Sequence, residues 1–341
     1  MKIAIVGTGL IGKERIEAVQ NISKLTNNLV NISSVFDINT ESLENAKAKY
    51  NVPIVHNFND LGGDNPDWIF VVTPNDVVYD VAKKAFDMGA NVLVEKPFGR
   101  NLEECDKIIS LKPEHLKLHV GFNYRFFAGI EQAIKDAKSG KFGKLISVNM
   151  ILGHGNAPGM EKSWKLDPKR CGNVTTDLAV HLFDIMLQLS NSPITVEYCR
   201  SWKGFWNTGI EEEAHFISHN DDGTIFNSQV SLNRWRSTFK LEINGTEGYG
   251  IVDHRGRSYG PQSYRIGKRW GWLSDKNIKQ ADTENWIIQD NDCLDSFTKE
   301  TISHLGLQIA GYENLLPPCS HINARDIMQL LNQLELKRIM I

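Results

Sequence analysis

This 341-residue sequence is poor in cysteine and carries no strong charge of either sign. Its cysteines form an odd and scattered set without a C-x-x-C pair: Cys105, Cys171, Cys199, Cys293 and Cys319. Such a pattern argues against a disulfide framework and a structural zinc site, and it predicts a reducing, cytoplasmic location with no metal. The formal net charge of −3 provides no field that would hold nucleic acid or an anionic membrane.

Long apolar segments are also missing. No run approaches the roughly 18 apolar residues of a membrane-spanning helix, so we expect no membrane partner. The first apolar run, residues 2–6, is followed at once by glycines and by no A-x-A-like cleavage site, which argues against a signal peptide. Hydrophobic residues make up 41% of the chain and charged residues 23%, which is ordinary for a globular protein of this length with two domains.

The first part of the chain shows an alternation of predicted strands and helices. The apolar runs at 2–6, 30–36, 68–72, 91–94 and 116–121 predict strands, and helical spacing predicts helices at 11–22, 41–50, 76–88 and 102–110. This order predicts a parallel sheet covered on both faces, as in a Rossmann fold. We therefore expect an NAD-binding domain over residues 1–122.

After Asn123 the pattern changes to consecutive strands. Helical patterns remain at 130–138, 175–188 and 324–339, and strands are predicted at 145–152, 194–202, 214–218, 224–232, 239–243 and 249–252. This order predicts an α+β domain with an open, largely antiparallel sheet and helices on one face. We assign residues 123–341 to substrate binding and oligomerisation, because an exposed open sheet favours a homo-oligomer, either a dimer or a tetramer.

The sequence GTGLIG follows the first strand and opens the first helix. In the dinucleotide-binding fingerprint the first glycine permits the tight turn, the second lets the backbone approach a pyrophosphate, and the third allows close helix packing. The free N–H groups of the helix would bind the phosphates. The alternative is a glycine-rich turn without a ligand. The predicted cofactor-binding residues here are Gly7, Thr8, Gly9, Leu10, Ile11 and Gly12.

Asp37 ends the second predicted strand, where the fingerprint has an acidic residue. A carboxylate at this place can accept hydrogen bonds from the ribose hydroxyls and would repel a 2′-phosphate. The next residues, Ile38, Asn39 and Thr40, provide no cation to neutralise a phosphate. The sequence therefore favours NAD over NADP. The alternative is that Asp37 only caps the following helix.

Five motifs occur in a fixed order: GTGLIG, VVTPN at 71–75, EKPFG at 95–99, GFNYRF at 121–126 and CGNVTTDLAVHLFD at 171–184. In this set the chain resembles the glucose–fructose oxidoreductase / inositol dehydrogenase family, Gfo/Idh/MocA, over essentially its whole length. The resemblance implies an NAD-dependent dehydrogenase that transfers hydride between nicotinamide and a secondary hydroxyl or ketone of a sugar, nucleotide sugar or cyclitol.

The residues themselves agree with this chemistry. Lys96 lies at the carboxyl end of a predicted parallel strand, where ligands of such sheets bind, and Pro97 favours an extended Lys96. Asp177 and His181 are four residues apart on a predicted helix and share a face, with Asp184 three further on. A histidine with carboxylate neighbours is suited to general base catalysis. The alternatives are a solvated surface lysine and a core histidine.

The resemblance implies further roles. His181 would accept the hydroxyl proton, Lys96 would stabilise the developing alkoxide, and Asp177 would orient the reacting groups. Thr73, Pro74 and Asn75 would lie along the cofactor, and Glu95 would border the nicotinamide ribose. The predicted substrate-binding residues are Asn123, Arg125, Trp164, Asp177 and His181. The family's usual glycines are replaced at Cys171, Asn173 and Ala179, and a histidine often found after the T-P-x turn is absent.

Other features bear on the substrate and on competing functions. Trp164 and Trp235 could stack on a sugar ring, although most tryptophans pack in cores. The basic segment 254–269 could hold a phosphate or carboxylate, or form a solvated loop or an oligomer contact. Two alternative functions remain: a non-redox dinucleotide-binding regulatory protein, which would need none of Lys96, Asp177 and His181, and an NAD-dependent glycosidase.

Overall fold

A computed structural model of the chain describes residues 1–155, 167, 170, 173–206, 208–268, 283–288 and 294–340. The chain folds into two compact units. The first comprises Met1–Phe126 and Asp295–Met328, and the second comprises Phe127–Leu294 and Gln329–Ile341. Within the part of the chain that is described, no helix is long and apolar enough to cross a membrane.

The first unit is built on a five-stranded parallel sheet in the order β2-β1-β3-β4-β5. Its strands are β1 (Lys2–Val6), β2 (Asn31–Phe36), β3 (Trp68–Val71), β4 (Asn91–Glu95) and β5 (Leu118–Gly121). The helices between them are α1 (Leu10–Leu25), α2 (Thr40–Tyr50), α3 (Val78–Asp87) and α4 (Leu102–Ser110). The predicted Rossmann fold is confirmed.

The central strands of this sheet are buried on both faces. All four residues of β3 are buried, and Ile3, Ile5 and Val94 in the neighbouring strands are fully buried. Apolar runs without alternation are what a parallel sheet covered by helices on both sides requires. Because the strands are parallel, their carboxyl ends meet at one edge, and the residues predicted to bind the cofactor follow those ends.

The second stretch of the first unit contains a helix that the sequence analysis did not predict. It is α7 (Ser296–Leu305), which begins at an N-cap where the Asp295 side chain accepts from Thr298 N and ends at Gly306 in the left-handed conformation. Nine of its ten residues are buried, and many of these are polar, so it lacks the apolar stripe by which an amphipathic helix is recognised.

The second unit is built on a nine-stranded sheet in the order β13-β12-β11-β10-β6-β9-β8-β7-β14. Its strands are β6 (Leu145–Gly153), β7 (Ile194–Trp202), β8 (Glu213–Asn220), β9 (Ile225–Ser231), β10 (Thr238–Gly245), β11 (Gly248–Asp253), β12 (Gln262–Lys268), β13 (Thr283–Ile288) and β14 (Arg338–Met340). All neighbours are antiparallel except β6 with β9 and β7 with β14. The predicted open, largely antiparallel sheet is confirmed.

Side chains alternate across this sheet. In β8, for example, Ala214 and Phe216 are buried whereas His215 and Ile217 are exposed. The helices α5 (Ala128–Lys138) and α6 (Val180–Leu189) belong to this unit, and the chain ends with α8 (His321–Lys337) before β14. Helix α5 packs on β11 and β12, which places it on one face of the sheet.

Of the alternatives for the segment 254–269, a solvated loop is wrong for residues 262–268, whereas anion binding and an oligomer contact stay predictions. Residues 262–268 form β12, an inner strand paired with both β11 and β13. Tyr264 is fully buried there, and its hydroxyl donates to Asp136 at 2.7 Å. Arg265 points to the other face and pairs with Asp253. The basic residues Arg265 and Lys268 are exposed in β12, and for this reason the sequence of this half-buried strand resembles that of a loop.

Candidate dinucleotide and active-site residues

The glycine turn after β1 has the geometry that the fingerprint requires. Gly7 has φ +106°, and a Cβ there would lie 2.3 Å from the Val72 carbonyl oxygen. A Cβ on Gly12 would lie 2.1 Å from the Gly7 carbonyl oxygen, so helix and turn are in direct contact. A Cβ on Gly9 would meet nothing within 4 Å, which leaves its backbone open to an approaching ligand.

The helix that follows offers an open N-terminus. Gly9 is the N-cap of α1 and provides no side chain to cap it, and Leu10 is 70% exposed. The first N–H groups of a helix lack partners within the helix and carry its positive dipole end. The residue types and geometry therefore fit a bound pyrophosphate.

Asp37 is oriented by the glycine turn. One carboxylate oxygen accepts from Thr8 N at 2.6 Å and from Thr8 Oγ1 at 2.8 Å, and the other accepts from Asn39 N at 2.8 Å. The cap of α2 is Asn39, whose side chain accepts from Ser42 N. Asp37 is thus not the helix cap, and its half-buried carboxylate is held at the edge where a ribose would lie.

The turn after β3 contains polar atoms that fit the same ligand. Thr73 Oγ1 and Asn75 Nδ2 are buried and have no hydrogen-bond partner among the described residues. Buried polar atoms normally have a partner, so such atoms beside the glycine turn are consistent with bonds to a cofactor. Pro74 lies between them and precedes the short 3-10 turn Asn75–Val77.

The E-K-P turn begins where β4 ends. Lys96 is half-buried, and the peptide bond between Lys96 and Pro97 is cis. Glu95, the last residue of β4, accepts a hydrogen bond from Arg15 Nε at 2.6 Å. The sequence analysis identified Glu95 but missed Arg15, because a single arginine in a helix does not indicate which distant residue it pairs with.

Asn123 and Arg125 follow β5 in a 3-10 turn, Asn123–Phe126. Asn123 Nδ2 donates to Ser296 Oγ at 3.2 Å. Arg125 is 1% exposed, and its NH1 donates to the Pro317 carbonyl oxygen at 2.9 Å. Both side chains therefore stabilise the first unit, and a contact of either with substrate stays a prediction.

In the second unit, the predicted catalytic helix has two parts. Residues Thr175–Ala179 form a π-helical turn, and α6 continues from Val180. Asp177 lies in the π turn and is half-buried, whereas His181 is 3% exposed and Asp184 fully buried in α6. π turns are rare and frequently occur at functional sites.

Asn173 holds the start of this helix. Its Oδ1 accepts from Thr175 N at 3.0 Å and from Thr176 N at 3.1 Å, and its backbone carbonyl accepts from Asp177 N. Asn173 stands where the family often has glycine, so this departure adds a helix cap. Thr175 Oγ1 also donates to Glu335 Oε1 at 2.7 Å, which ties the turn to α8.

An aromatic surface lies close to the start of the predicted catalytic helix. Val174 N donates to the Glu211 carbonyl, and the buried carboxylate of Glu212 accepts from Phe205 N and Trp206 N at 2.9 and 2.8 Å. The Phe205 ring contacts Trp235 edge to face at 5.8 Å, and Trp235 is 87% exposed. Trp235 is therefore not a core residue. Trp164 lies outside the described residues.

No cluster of three or more His, Cys, Asp or Glu side chains in the described ranges has the geometry to hold a metal ion. Cys105, Cys199 and Cys319 are buried thiols, and burial raises the pKa of both Cys105 and Cys199 to about 12. The Cys105 and Cys199 thiols therefore stay protonated and unreactive at neutral pH. Metal-independent chemistry stays a prediction.

These features define a dehydrogenase with a Rossmann domain for a nicotinamide dinucleotide. Residues 1–122 match the family described as "Oxidoreductase family, NAD-binding Rossmann fold", and residues 130–250 match the "GFO/IDH/MocA C-terminal domain". The chain belongs to the Gfo/Idh/MocA family, which confirms the resemblance found in the sequence. It is an NAD(P)-dependent oxidoreductase.

Two curated bacterial proteins illustrate the similarity. The chain is 25% identical over 260 residues to the uncharacterised oxidoreductase YrbE of Bacillus subtilis, covering 73% of each chain. It is 27% identical over 198 residues to the UDP-N-acetylglucosamine 3-dehydrogenase of Acidithiobacillus ferrooxidans, covering 58% of this chain and 56% of the relative.

Solved structures share the fold over nearly the full length. The WlbA dehydrogenase from Bordetella pertussis, in complex with NADH and UDP-GlcNAcA, is 17% identical, with a TM-score of 0.76 and coverage of 99% of this chain and 96% of that one. A 3-ketoreductase from Actinomadura kijaniata, in complex with NADP and TDP-benzene, is 13% identical, with a TM-score of 0.78 and coverage of 100% and 98%. Proteins of this fold therefore include both NADH and NADP complexes.

Proposed function

We propose that this chain is an NAD-dependent dehydrogenase that oxidises a secondary hydroxyl of a sugar or nucleotide sugar, or reduces the corresponding ketone. The proposal rests mainly on the arrangement of residues at the carboxyl edge of the first sheet. There the glycine turn, the oriented Asp37 carboxylate and Lys96 follow three strands of one parallel sheet. The cofactor supplies the hydride acceptor or donor, and a cyclitol is the further substrate class that this chemistry allows.

The cofactor half of the proposal assigns each residue a contact. The N–H groups at Gly9, Leu10, Ile11 and Gly12 would hold the pyrophosphate, and Gly7 would allow the turn. Thr8, whose N–H donates to Asp37, would border the cofactor and orient that carboxylate. Asp37 would accept from the ribose hydroxyls and disfavour a 2′-phosphate, so that NAD binds better than NADP. Thr73, Pro74 and Asn75 would line the cofactor, and Glu95 would border the nicotinamide ribose.

Proton transfer is assigned to residues of the second unit. His181 would take the proton from the substrate hydroxyl as hydride leaves the carbon, and Asp177 would orient the hydroxyl. Lys96 would stabilise the alkoxide that develops on the same oxygen. Asn123, Arg125 and Trp164 would contact the substrate. Buried thiols and the absence of a C-x-x-C pair support a cytoplasmic location.

The substrate class is supported by the surface around Trp235. This indole is almost fully exposed beside Phe205, and Arg234 and Arg236 flank it in the chain. An aromatic face stacks on sugars and bases, and arginine pairs with phosphate. The combination favours a sugar that bears a phosphate or nucleotide over a free sugar.

His181→Asn tests the proposed chemistry, because asparagine keeps the approximate size and removes the base. Single-turnover hydride transfer should slow by roughly 10²–10⁴, the usual contribution of a positioned general base. NAD affinity, measured by titration, should hardly change, since the phosphate-binding turn lies in the first unit. Gln188→Asn on the same helix is the matched control. A near-normal rate for His181→Asn at every pH would exclude His181 as the base and leave Lys96 as the candidate.

A further inference from the structure

A buried cluster of charges lies in the first unit, beneath the E-K-P turn. The guanidinium of Arg15 in α1 is fully buried and pairs with two carboxylates. Its Nε lies 2.6 Å from Glu95 Oε1, and its NH2 lies 2.6 Å from Glu300 Oε2 in α7. The Glu300 side chain is also fully buried, whereas that of Glu95 is 16% exposed.

The surrounding residues are shaped for this cluster. A Cβ on Gly121 at the end of β5 would lie 2.5 Å from Arg15 NH2 and 2.7 Å from Glu95 Oε2, so any other residue there would displace the Arg15–Glu95 pair. Arg15 NH1 donates to Thr301 Oγ1 at 3.3 Å, and the guanidinium stacks over the Phe297 ring at 4.9 Å. The arginine is thus held from several sides.

The cluster contains one cation and two carboxylates. Burial raises the pKa of Glu95 above its usual range; the Arg15 charge opposes this shift, and the nearby Glu300 charge adds to it. Burial likewise raises the pKa of Glu300, again opposed by Arg15. Lys96, the next residue in the chain, lowers the pKa of Glu95. The charge on Glu95 therefore depends on its buried neighbours as well as on Lys96.

Other titratable groups face the cluster from the elements packed against it. His304 in α7 lies 3.5 Å from Glu300 Oε1, and its Nδ1 lies 3.2 Å from His119 Nδ1 in β5. Burial lowers the pKa of His304 well below its usual range and that of His119 to about 3, so both are neutral at physiological pH. The charge of Arg125, after β5, lowers the pKa of Glu300.

We propose that Glu300 is a positioning residue of the cofactor site, which fixes the Glu95 carboxylate through Arg15 and sets the pH below which cofactor binding weakens. The inference rests on the proposed function, in which Glu95 borders the nicotinamide ribose. It extends the site to α7, some 200 residues beyond the E-K-P turn in the sequence.

The sign of the effect follows from the charges. An ionised Glu95 accepts hydrogen bonds from ribose hydroxyls better than a protonated one, so affinity is complete above the pKa of Glu95 and is lost as the pH falls through it. Removing the Glu300 charge lowers the pKa of Glu95, because a like charge nearby disfavours ionisation. Binding should then persist to lower pH.

The experiment measures the dissociation constant of NADH against pH for the full-length protein and its variants. For the unaltered protein the affinity should fall at acid pH. For Glu300→Gln the midpoint of that fall should move to lower pH, and Glu300→Asp, which keeps the charge, should return it towards the original value. Glu95→Gln should abolish the fall. Glu103→Gln, at an exposed carboxylate in α4, is the matched control and should change nothing.

A midpoint that is unchanged in Glu300→Gln, or a fall that survives Glu95→Gln, would overturn this inference while leaving the proposed function intact. Failure of the unaltered protein to bind NADH at any pH would refute both. If thermal unfolding shows that Glu300→Gln is not folded, Arg15→Lys replaces it. That variant loses the Nε bond to Glu95, so its midpoint should move to higher pH, and an unmoved midpoint would overturn the inference.

Discussion

At the scale of single residues, the proposed cofactor site depends on a few side chains whose orientation is set by their neighbours. Asp37 is held by three hydrogen bonds from Thr8 and Asn39, at 2.6, 2.8 and 2.8 Å. A carboxylate that is already oriented loses little side-chain freedom when it binds a ribose. The preference for one dinucleotide over another should therefore depend strongly on this residue.

Asp37→Ala should narrow the preference for NAD over NADP, because it removes both the acceptor for the ribose hydroxyls and the repulsion of a 2′-phosphate. We expect NAD to bind the unaltered protein at least about tenfold more tightly than NADP, a difference of about 1.4 kcal/mol. Isothermal titration with both cofactors measures this ratio, and Asp60→Ala in an exposed turn is the control. Equal or tighter binding of NADP by the unaltered protein would contradict the proposal.

At the scale of elements, two connecting loops of the second unit act together. The loop after β7 is pinned by the Glu212 carboxylate and by the Trp206 Nε1 bond to the Leu232 carbonyl at 3.0 Å. The loop after β9 presents Trp235 to the first loop's Phe205. Glu211, next to Glu212 in the chain, accepts a hydrogen bond from Val174 N at the start of the predicted catalytic helix, so the first loop also contacts the segment that carries Asp177.

Trp235→Ala should weaken binding of a nucleotide sugar by about tenfold, since stacking on an aromatic side chain contributes about 1–3 kcal/mol per base. Affinity for NADH should stay the same. Thermal-shift titration with UDP-sugars, hexose phosphates and free hexoses measures both effects, and Leu29→Ala at another exposed apolar position is the control. If all three ligand classes bind Trp235→Ala as they bind the unaltered protein, the indole has no part in substrate recognition.

At the scale of the whole molecule, one face of the nine-stranded sheet carries several exposed apolar side chains. Tyr198 and Trp202 in β7, Ile217 in β8 and Ile225 in β9 are between 38% and 48% exposed. A concavity of about 360 Å³ lies among Tyr198, Arg200, Ser201, Trp202, Glu213 and His215. Apolar residues that line a sheet face together with charged ones are typical of an interface.

We therefore predict that a second copy of the chain covers this face and that the protein is a homodimer or homotetramer. Ile217→Glu should shift the mass measured by sedimentation towards that of one chain, because a buried unpaired carboxylate is costly at an interface. Leu336→Glu, at a 78% exposed position in α8, should leave the assembly intact. A monomeric unaltered protein at micromolar concentration would refute the prediction.

Sequence alone determined the features that depend on near neighbours. The glycine turn, Asp37, the E-K-P turn and the Asp177–His181 pair were each recognised from short motifs, and the strands of the first sheet from their apolar runs. Such patterns are local, because a turn or a strand in a covered parallel sheet imposes its residue preferences on adjacent positions. Family membership followed from the order of these motifs.

Tertiary structure decided which distant residues meet. Arg15 and Glu300 are 285 positions apart, and neither stands out in sequence; only the packing of α7 on α1 pairs their charges in a buried place. Helix α7 escaped prediction because its buried residues are largely polar, although Asp295 and Gly306 mark its ends. A polar side chain is buried only where it has a hydrogen-bond or charge partner, and here that partner is distant in the sequence. The residues next to the polar side chain therefore do not predict its burial.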